Sequence, residues 1–260
     1  MKYLIFSDID GTIRPNTGDI STFTAKAIKR IQKNAEFVLV SGRGRQKVEE
    51  FASLWGGCRY IISTNGAELF DCKKREIIYT STISKESVLK LYNLAERHGL
   101  RIFFGIEDDY RLTNHERPGE DTEKQIYDIN EEIKKHTFIG GVITDIKEEI
   151  LNEIKAEITS TEDVVVANYG GYKGVYYMDF TSAYANKGVA IKKLIKHLNV
   201  DPTITMSFGN EKNDIPMFLA THTSITVGDA SEELKNIVDI VVDTAENDGV
   251  AKHLNSLDID

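Results

Sequence analysis

The sequence predicts an α/β fold: a doubly wound parallel sheet carrying an inserted α+β domain. Three observations predict it. Short apolar runs alternate with helical patterns, the runs end in small or polar residues, and the middle of the chain has a different texture from both ends. The runs are Tyr3 to Phe6, Phe37 to Val40, Tyr60 to Ile62, Ile204 to Phe208 and Ser224 to Val227. Short continuous apolar runs of this kind read as buried parallel strands. Between them lie the helical patterns Thr22 to Gln32, Arg45 to Leu54, Lys187 to Leu198 and Ser231 to Asn236.

The middle, residues 83–181, opens with a helix from Lys85 to His98 and a strand from Arg101 to Phe104, followed by a strongly charged stretch from Glu107 to Lys135. Strand, helix, strand and strand follow at Gly141 to Thr144, Glu148 to Glu157, Val164 to Asn168 and Gly174 to Phe180. We therefore expect a core made of residues 1–82 and 182–260 and an inserted domain of residues 83–181, both of ordinary domain size. The segments Asn114 to Glu116 and Asp121 to Lys124 read as a solvated loop and helix face.

Composition excludes several classes. With 41% hydrophobic residues, 28% charged residues and four prolines, the 260-residue chain is globular rather than linker-rich. A net charge of −9 repels a polyanion, so no nucleic-acid partner is expected, and a phosphate ligand would need a local positive site. Cys58 and Cys72 form neither a disulfide framework nor a metal spacing, as expected of a cytoplasmic protein. The apolar run at the N-terminus is too short for a signal peptide, and no stretch approaches the roughly 18 to 20 residues that cross a bilayer, so no membrane partner is expected. The histidines are scattered without ligand spacing, and Trp55 reads as a packing residue.

Chemistry gathers at the strand ends, which read Ser7-Asp8-Ile9-Asp10, Ser41-Gly42-Arg43, Ser63-Thr64-Asn65-Gly66 and Gly209-Asn210. In doubly wound sheets ligands bind outside the carboxyl ends of the strands. In extended backbone the i, i+2 spacing would point Asp8 and Asp10 the same way. Two such carboxylates share a proton or bind a hard cation, although Asp-Gly-Thr is also good turn chemistry, and the local sequence leaves both open. Ser41 offers a hydroxyl and Gly42 an uncrowded N–H, suited either to a phosphoryl oxygen or to a cap and turn. Lys187 stands at a helix start, where a cation opposes the helix dipole, so its placement calls for a nearby carboxylate or a bound anion.

Asp8-Ile9-Asp10-Gly11-Thr12 resembles the first motif of the haloacid dehalogenase superfamily phosphatases. Ser41-Gly42-Arg43, Lys187-Gly188 and the segment Gly209 to Asp214 resemble the later motifs, in the required order. Ser63 to Ala67, Asn213 to Met217, Val227 to Ala230 and Asn247 to Val250 are similar to segments of the Cof-type branch, in which a large α/β cap is inserted where the middle domain falls.

The resemblance implies a Rossmann-like core and a Mg²⁺-dependent phosphomonoesterase. Asp8 would be the nucleophile that becomes an aspartyl phosphate, and Asp10 the acid and base. Thr12, Ser41, Gly42, Lys187 and Asn213 would hold the phosphoryl group. Asp8, Asp10 through its carbonyl, Asn210 and Asp214 would hold the metal. Asn210 departs from the commoner aspartate, and an amide oxygen lacks formal charge, which weakens metal binding. The implied partner is a small phosphorylated metabolite, by default a sugar phosphate, acted on by a monomer or small homo-oligomer. A phosphomutase or other phosphotransferase, and a catalytically weak phosphate-binding member, are the alternatives.

Overall fold

The computed structural model describes residues 2–107, 111–115 and 123–258. The chain divides into two compact units, Met1–Tyr79 with Asn186–Asp260, and Thr80–Ala185. The first stretch carries β1 (Tyr3–Ser7), α1 (Thr22–Ile31), β2 (Ala35–Val40), α2 (Arg45–Ala52), β3 (Tyr60–Ser63), β4 (Glu68–Asp71) and β5 (Glu76–Thr80). The middle carries α3 (Lys85–His98), β6 (Arg101–Ile106), β7 (Arg111–Thr113), β8 (Glu123–Gln125), α4 (Ile129–Lys135), β9 (Phe138–Lys147), α5 (Leu151–Thr159), β10 (Val164–Tyr172) and β11 (Val175–Ser182). The last stretch carries α6 (Lys187–Leu198), β12 (Thr205–Gly209), α7 (Ile215–Phe218), β13 (Thr223–Thr226), α8 (Glu232–Lys235), β14 (Ile240–Val241) and α9 (Gly249–Ser256).

In the discontinuous unit an eight-stranded sheet runs in the order β14-β13-β12-β1-β2-β3-β4-β5. From β14 to β3 every pairing is parallel. The apolar runs are buried on both faces: Leu4, Ile5, Phe6, Val38, Leu39, Val40, Ile61 and Ile62 have no more than 1% exposure and pack in one core with Ile28, Ile31, Ile191 and Leu194 of α1 and α6. Trp55 packs edge-on against Phe37 and Phe51 in that core.

The sheet departs from the fully parallel expectation at one edge. β4 pairs antiparallel with β3, and neither β4 nor β5 was among the predicted strands. The reason is chain length: residues 64–67 are too few for a parallel crossover, which needs a dozen or more. Thr64, Asn65 and Gly66 all have positive φ, and this left-handed run reverses the chain within that distance. From β1 the chain runs outward through β2 and β3 on one side, and β12, β13 and β14 are added on the other, so the carboxyl ends of β1 and β12 flank the crevice where the order reverses.

The continuous unit holds a six-stranded sheet in the order β10-β11-β9-β6-β7-β8. All its pairings are antiparallel except β7 with β8. One face of the sheet presents Ile102, Phe104, Ile143, Met178 and Phe180 to Val88 and Leu91 of α3 and Ile154 and Ile158 of α5. The charged stretch from Glu107 to Lys135 is more structured than expected, containing β7, β8 and α4, with Leu112, Ile126 and Ile129 buried. The surrounding charge hid these short elements; Arg111, for instance, is paired with Glu123 across the two strands. Residues 116–122, with Glu116 and Asp121, lie outside the described residues.

Among the described residues no helix is long and apolar enough to cross a membrane. Phe104 stands edge-on to both Phe138 (5.3 Å between centroids) and Phe180 (5.8 Å) at the centre of the second core. Phe104→Ala is expected to destabilise that unit by about 3–5 kcal/mol through lost burial and a residual cavity. Chemical denaturation of the variant checks this, and an unchanged midpoint would contradict it.

Candidate active site

Asp8 follows the last residue of β1 and continues its pairing, its N–H donating to the Phe208 carbonyl of β12 (2.9 Å). Its side chain is 11% exposed, and Oδ1 accepts a bond from Lys187 Nζ at 2.7 Å. Lys187 is the first residue of α6, is almost fully buried, and donates also to Asp214 Oδ1 at 2.6 Å. Asp214 has no exposed surface; its Oδ2 accepts from the backbone N–H groups of Asn210 (2.9 Å) and Glu211 (3.0 Å). Asp214 thus fixes the loop after β12 and supplies the carboxylate that a lysine at a helix start requires.

Two carboxylates and one ammonium leave this enclosure with an excess negative charge. Burial pushes the Asp8 carboxyl up to about 7, Lys187 opposing and Asp214 and Asp10 adding to the rise. Burial works against the Lys187 charge, but Asp214 and Asp8 outweigh it and hold the ammonium above its ordinary range. A divalent cation would neutralise the excess, and the donors present fit a hard one. Among the described residues the Asp10 carbonyl accepts no hydrogen bond and Asn210 Oδ1 accepts only from Thr12 Oγ1 (2.9 Å); with the Asp8 carboxylate they make an all-oxygen set. These are oxygen donors of the kind Mg²⁺ takes.

A second polar group gathers around Asn65, whose side chain lies against Gly42. Ser41 is buried after β2, and its carbonyl accepts the Asn65 N–H (3.0 Å) from the loop after β3. Asn213 Nδ2 reaches Asn65 Oδ1 at 3.4 Å, which ties in the loop after β12. Gly66 lets α6 approach this assembly: at φ +94° it takes a conformation other residues avoid, and a Cβ there would lie 2.3 Å from the Asn186 carbonyl. Asn65 was not among the candidate residues. Its signal was an Asn-Gly pair directly after a strand, where asparagine tolerates left-handed backbone.

Asp10 and Asp8 have different hydrogen-bond partners. β1 ends at Ser7, and from Ile9 the chain turns back toward Arg14. Asp10 is 45% exposed and bound by two guanidinium groups: Arg43 Nε to Oδ2 (2.9 Å), Arg43 Nη2 to Oδ1 (2.7 Å) and Arg14 Nη1 to Oδ1 (2.8 Å). The structure therefore brings together Asp8, Lys187 and Asp214 in one cluster and Ser41, Gly42 and Asn213 around Asn65. Asp10 is bound by Arg43 and by Arg14, a residue sequence reasoning passed over. Thr12 is buried with its hydroxyl on Asn210, where it orients the amide.

Asp214→Ala would leave a buried ammonium short of one counter-ion and two N–H groups without an acceptor. A loss of about 3–5 kcal/mol is expected, as for other broken buried pairs. Urea denaturation at neutral pH measures it, and a loss within experimental error would mean that Asp214 does not organise the loop.

Residues 5–254 match the haloacid dehalogenase-like hydrolase family. Over 254 residues the chain is 23% identical to the 5-amino-6-(5-phospho-D-ribitylamino)uracil phosphatase YcsE of Bacillus subtilis strain 168, an alignment covering 96% of this chain and 93% of that protein. Its fold is similar to that of TM0651 from Thermotoga maritima, with a TM-score of 0.85, 19% identity, and coverage of 100% of this chain and 99% of that one. It is also similar to the sugar phosphatase BT4131, with a TM-score of 0.74, 24% identity, and coverage of 97% and 98%. With its family pattern spanning nearly the whole length and both units matched in solved folds, the chain belongs to the haloacid dehalogenase-like hydrolases.

Proposed function

We propose that this chain is a Mg²⁺-dependent phosphomonoesterase that works through an aspartyl phosphate on Asp8. The observation that carries this reading is the buried Lys187 ammonium held between Asp8 and Asp214. It fixes one oxygen of Asp8 and leaves the other, Oδ2, to attack. Asp8 Oδ2 bonds to phosphorus as the bond to the leaving oxygen breaks, and that oxygen takes a proton from Asp10. Water then attacks the phosphorus of the acyl phosphate, gives its proton to Asp10 and returns Asp8 as a carboxylate. Ser41, the Gly42 N–H, Lys187 and Asn213 hold the phosphoryl oxygens during both steps.

Mg²⁺ would be held by Asp8, the Asp10 carbonyl and Asn210, with Asp214 supporting the loop, and would neutralise charge on the transferring phosphoryl group. Asn210 makes this site less charged than one with an aspartate there. The substrate is a small phosphate monoester of a polyhydroxylated metabolite, such as a sugar phosphate. YcsE by its name acts on a phosphoribityl compound and BT4131 on sugar phosphates. The inserted unit acts as a cap that selects the leaving group, since the core residues described above address only the phosphoryl end.

Asp8→Asn is expected to abolish hydrolysis of p-nitrophenyl phosphate in the presence of Mg²⁺ and to leave the fold intact. Retained turnover would remove Asp8 from the nucleophile's role, and undiminished wild-type turnover after thorough chelation would remove the metal. A pH dependence follows from the raised Asp8 pKa. The cation binds the carboxylate, and the protonated fraction grows as pH falls below about 7, so Mg²⁺ affinity should weaken by up to tenfold per pH unit below that point. Calorimetric titration between pH 5.5 and 8 reads this directly; a flat affinity would mean that Asp8 is already ionised throughout.

A further inference from the structure

Arg14 stands at the end of the first-motif turn, and everything around it fixes where its guanidinium lies. The Gly11 N–H donates to the Arg14 carbonyl (2.8 Å) and the Arg14 N–H to the Ile9 carbonyl (2.9 Å), so the segment folds back on itself over four residues. The Arg14 Nε–H donates to the Gly18 carbonyl at 3.1 Å, which sets the plane of the group. Nη1 then reaches Asp10 Oδ1 at 2.8 Å, on the same oxygen that receives Arg43 Nη2 at 2.7 Å. A carboxylate offers about four lone-pair directions, two on each oxygen. Here both on Oδ1 are taken, while Oδ2 receives only Arg43 Nε (2.9 Å) and keeps one free.

We propose that Arg14 is a positioning residue for the hydrolytic half of the reaction, holding Asp10 so that Oδ2 alone is free to take the proton of the attacking water. Three bonds from two guanidinium groups define the plane and direction of the carboxylate. Without Arg14 the two bonds from Arg43 remain, but Oδ1 regains a free lone pair and the carboxylate can rock about a single partner. Asp10 is also half exposed, as a group that meets water must be. The step balances without any further reactant: the water oxygen bonds to phosphorus, the bond from phosphorus to Asp8 breaks with its electrons returning to the carboxylate, and the proton passes to Asp10 Oδ2. The inference rests on the aspartyl-phosphate reading above and adds to it the residue that aims the base.

A substrate with a leaving group that needs no proton separates the two halves. With p-nitrophenyl phosphate the first step runs without acid assistance, so a defect in the base shows in the second. The full chain with Mg²⁺ is mixed with this ester, and both p-nitrophenol release and acid-trapped, phosphorylated protein are followed through the first turnover and the steady state. Arg14→Ala should release the first equivalent of p-nitrophenol at the wild-type rate. Its steady rate should fall about tenfold, a fraction of what general base catalysis contributes, and the phosphorylated fraction of the protein should rise. Arg14→Lys, which restores one charged donor, should recover part of the loss. Arg14→Gln gives the same reading if the alanine variant does not fold. A steady rate that falls with no rise in phosphorylated protein, or a rate that does not change, overturns the role of Arg14. Absence of any phosphorylated protein in the wild-type chain, or its persistence in Asp8→Asn, overturns the covalent reading itself, so the two failures are distinguishable.

Discussion

The Lys187 ammonium enclosed between Asp8 and Asp214 is the interaction on which the rest of the site depends. An ammonium cannot be buried alone, and neither can two carboxylates, so each of the three charges is tolerated only because the others are present. The arrangement joins the end of β1, the start of α6 and the loop after β12. The same constraint explains local sequence choices that look unrelated. Gly66 gives α6 room to bring Lys187 in, and the short turn after β12 turns its amides toward Asp214.

The two aspartates of the first motif show how different the surroundings of identical side chains can be. Asp8 is nearly enclosed and faces an ammonium and a second carboxylate, so its charge is expensive. Asp10 is half in solvent and faces two guanidinium groups. In the reaction proposed above, the first would bond to phosphorus in a shielded place and the second would exchange protons with water. Their separation by a single buried residue, Ile9, is enough to place them in different surroundings because the strand stops before the first and the chain turns through the second.

Much of this was legible in the sequence because it is local. The apolar runs of β1, β2, β3, β12 and β13 are continuous, and a strand buried on both faces leaves no other pattern. Helix α3 was readable to its ends because Ser84 caps one terminus and Gly99 closes the other in left-handed backbone. Strands β4 and β5, the last two on one side of the large sheet, and the three-residue strands β7 and β8 were not legible, since each owes its state to a neighbour rather than to its own composition. The clamp on Asp10 was hidden for a related reason. Arg14 looks like any exposed arginine in a polar loop until the backbone is seen to fold back, and only then do its neighbours identify it.

Asp8 and Lys187 are 179 positions apart, and that separation bears on how the molecule comes to be made. Contacts closed over so long a stretch of chain form late, because loop entropy must be met before they contribute anything. The intervening unit is continuous in sequence and has a hydrophobic centre of its own. During synthesis it can complete its fold while β1, β2 and β3 still lack β12 and the helix that carries the lysine. Until then Asp8 is an ordinary carboxylate at the end of an unfinished sheet. The enclosure around Asp8 is therefore completed only when the last third of the chain has emerged, so that a truncated product keeps this carboxylate without the lysine and Asp214 that enclose it.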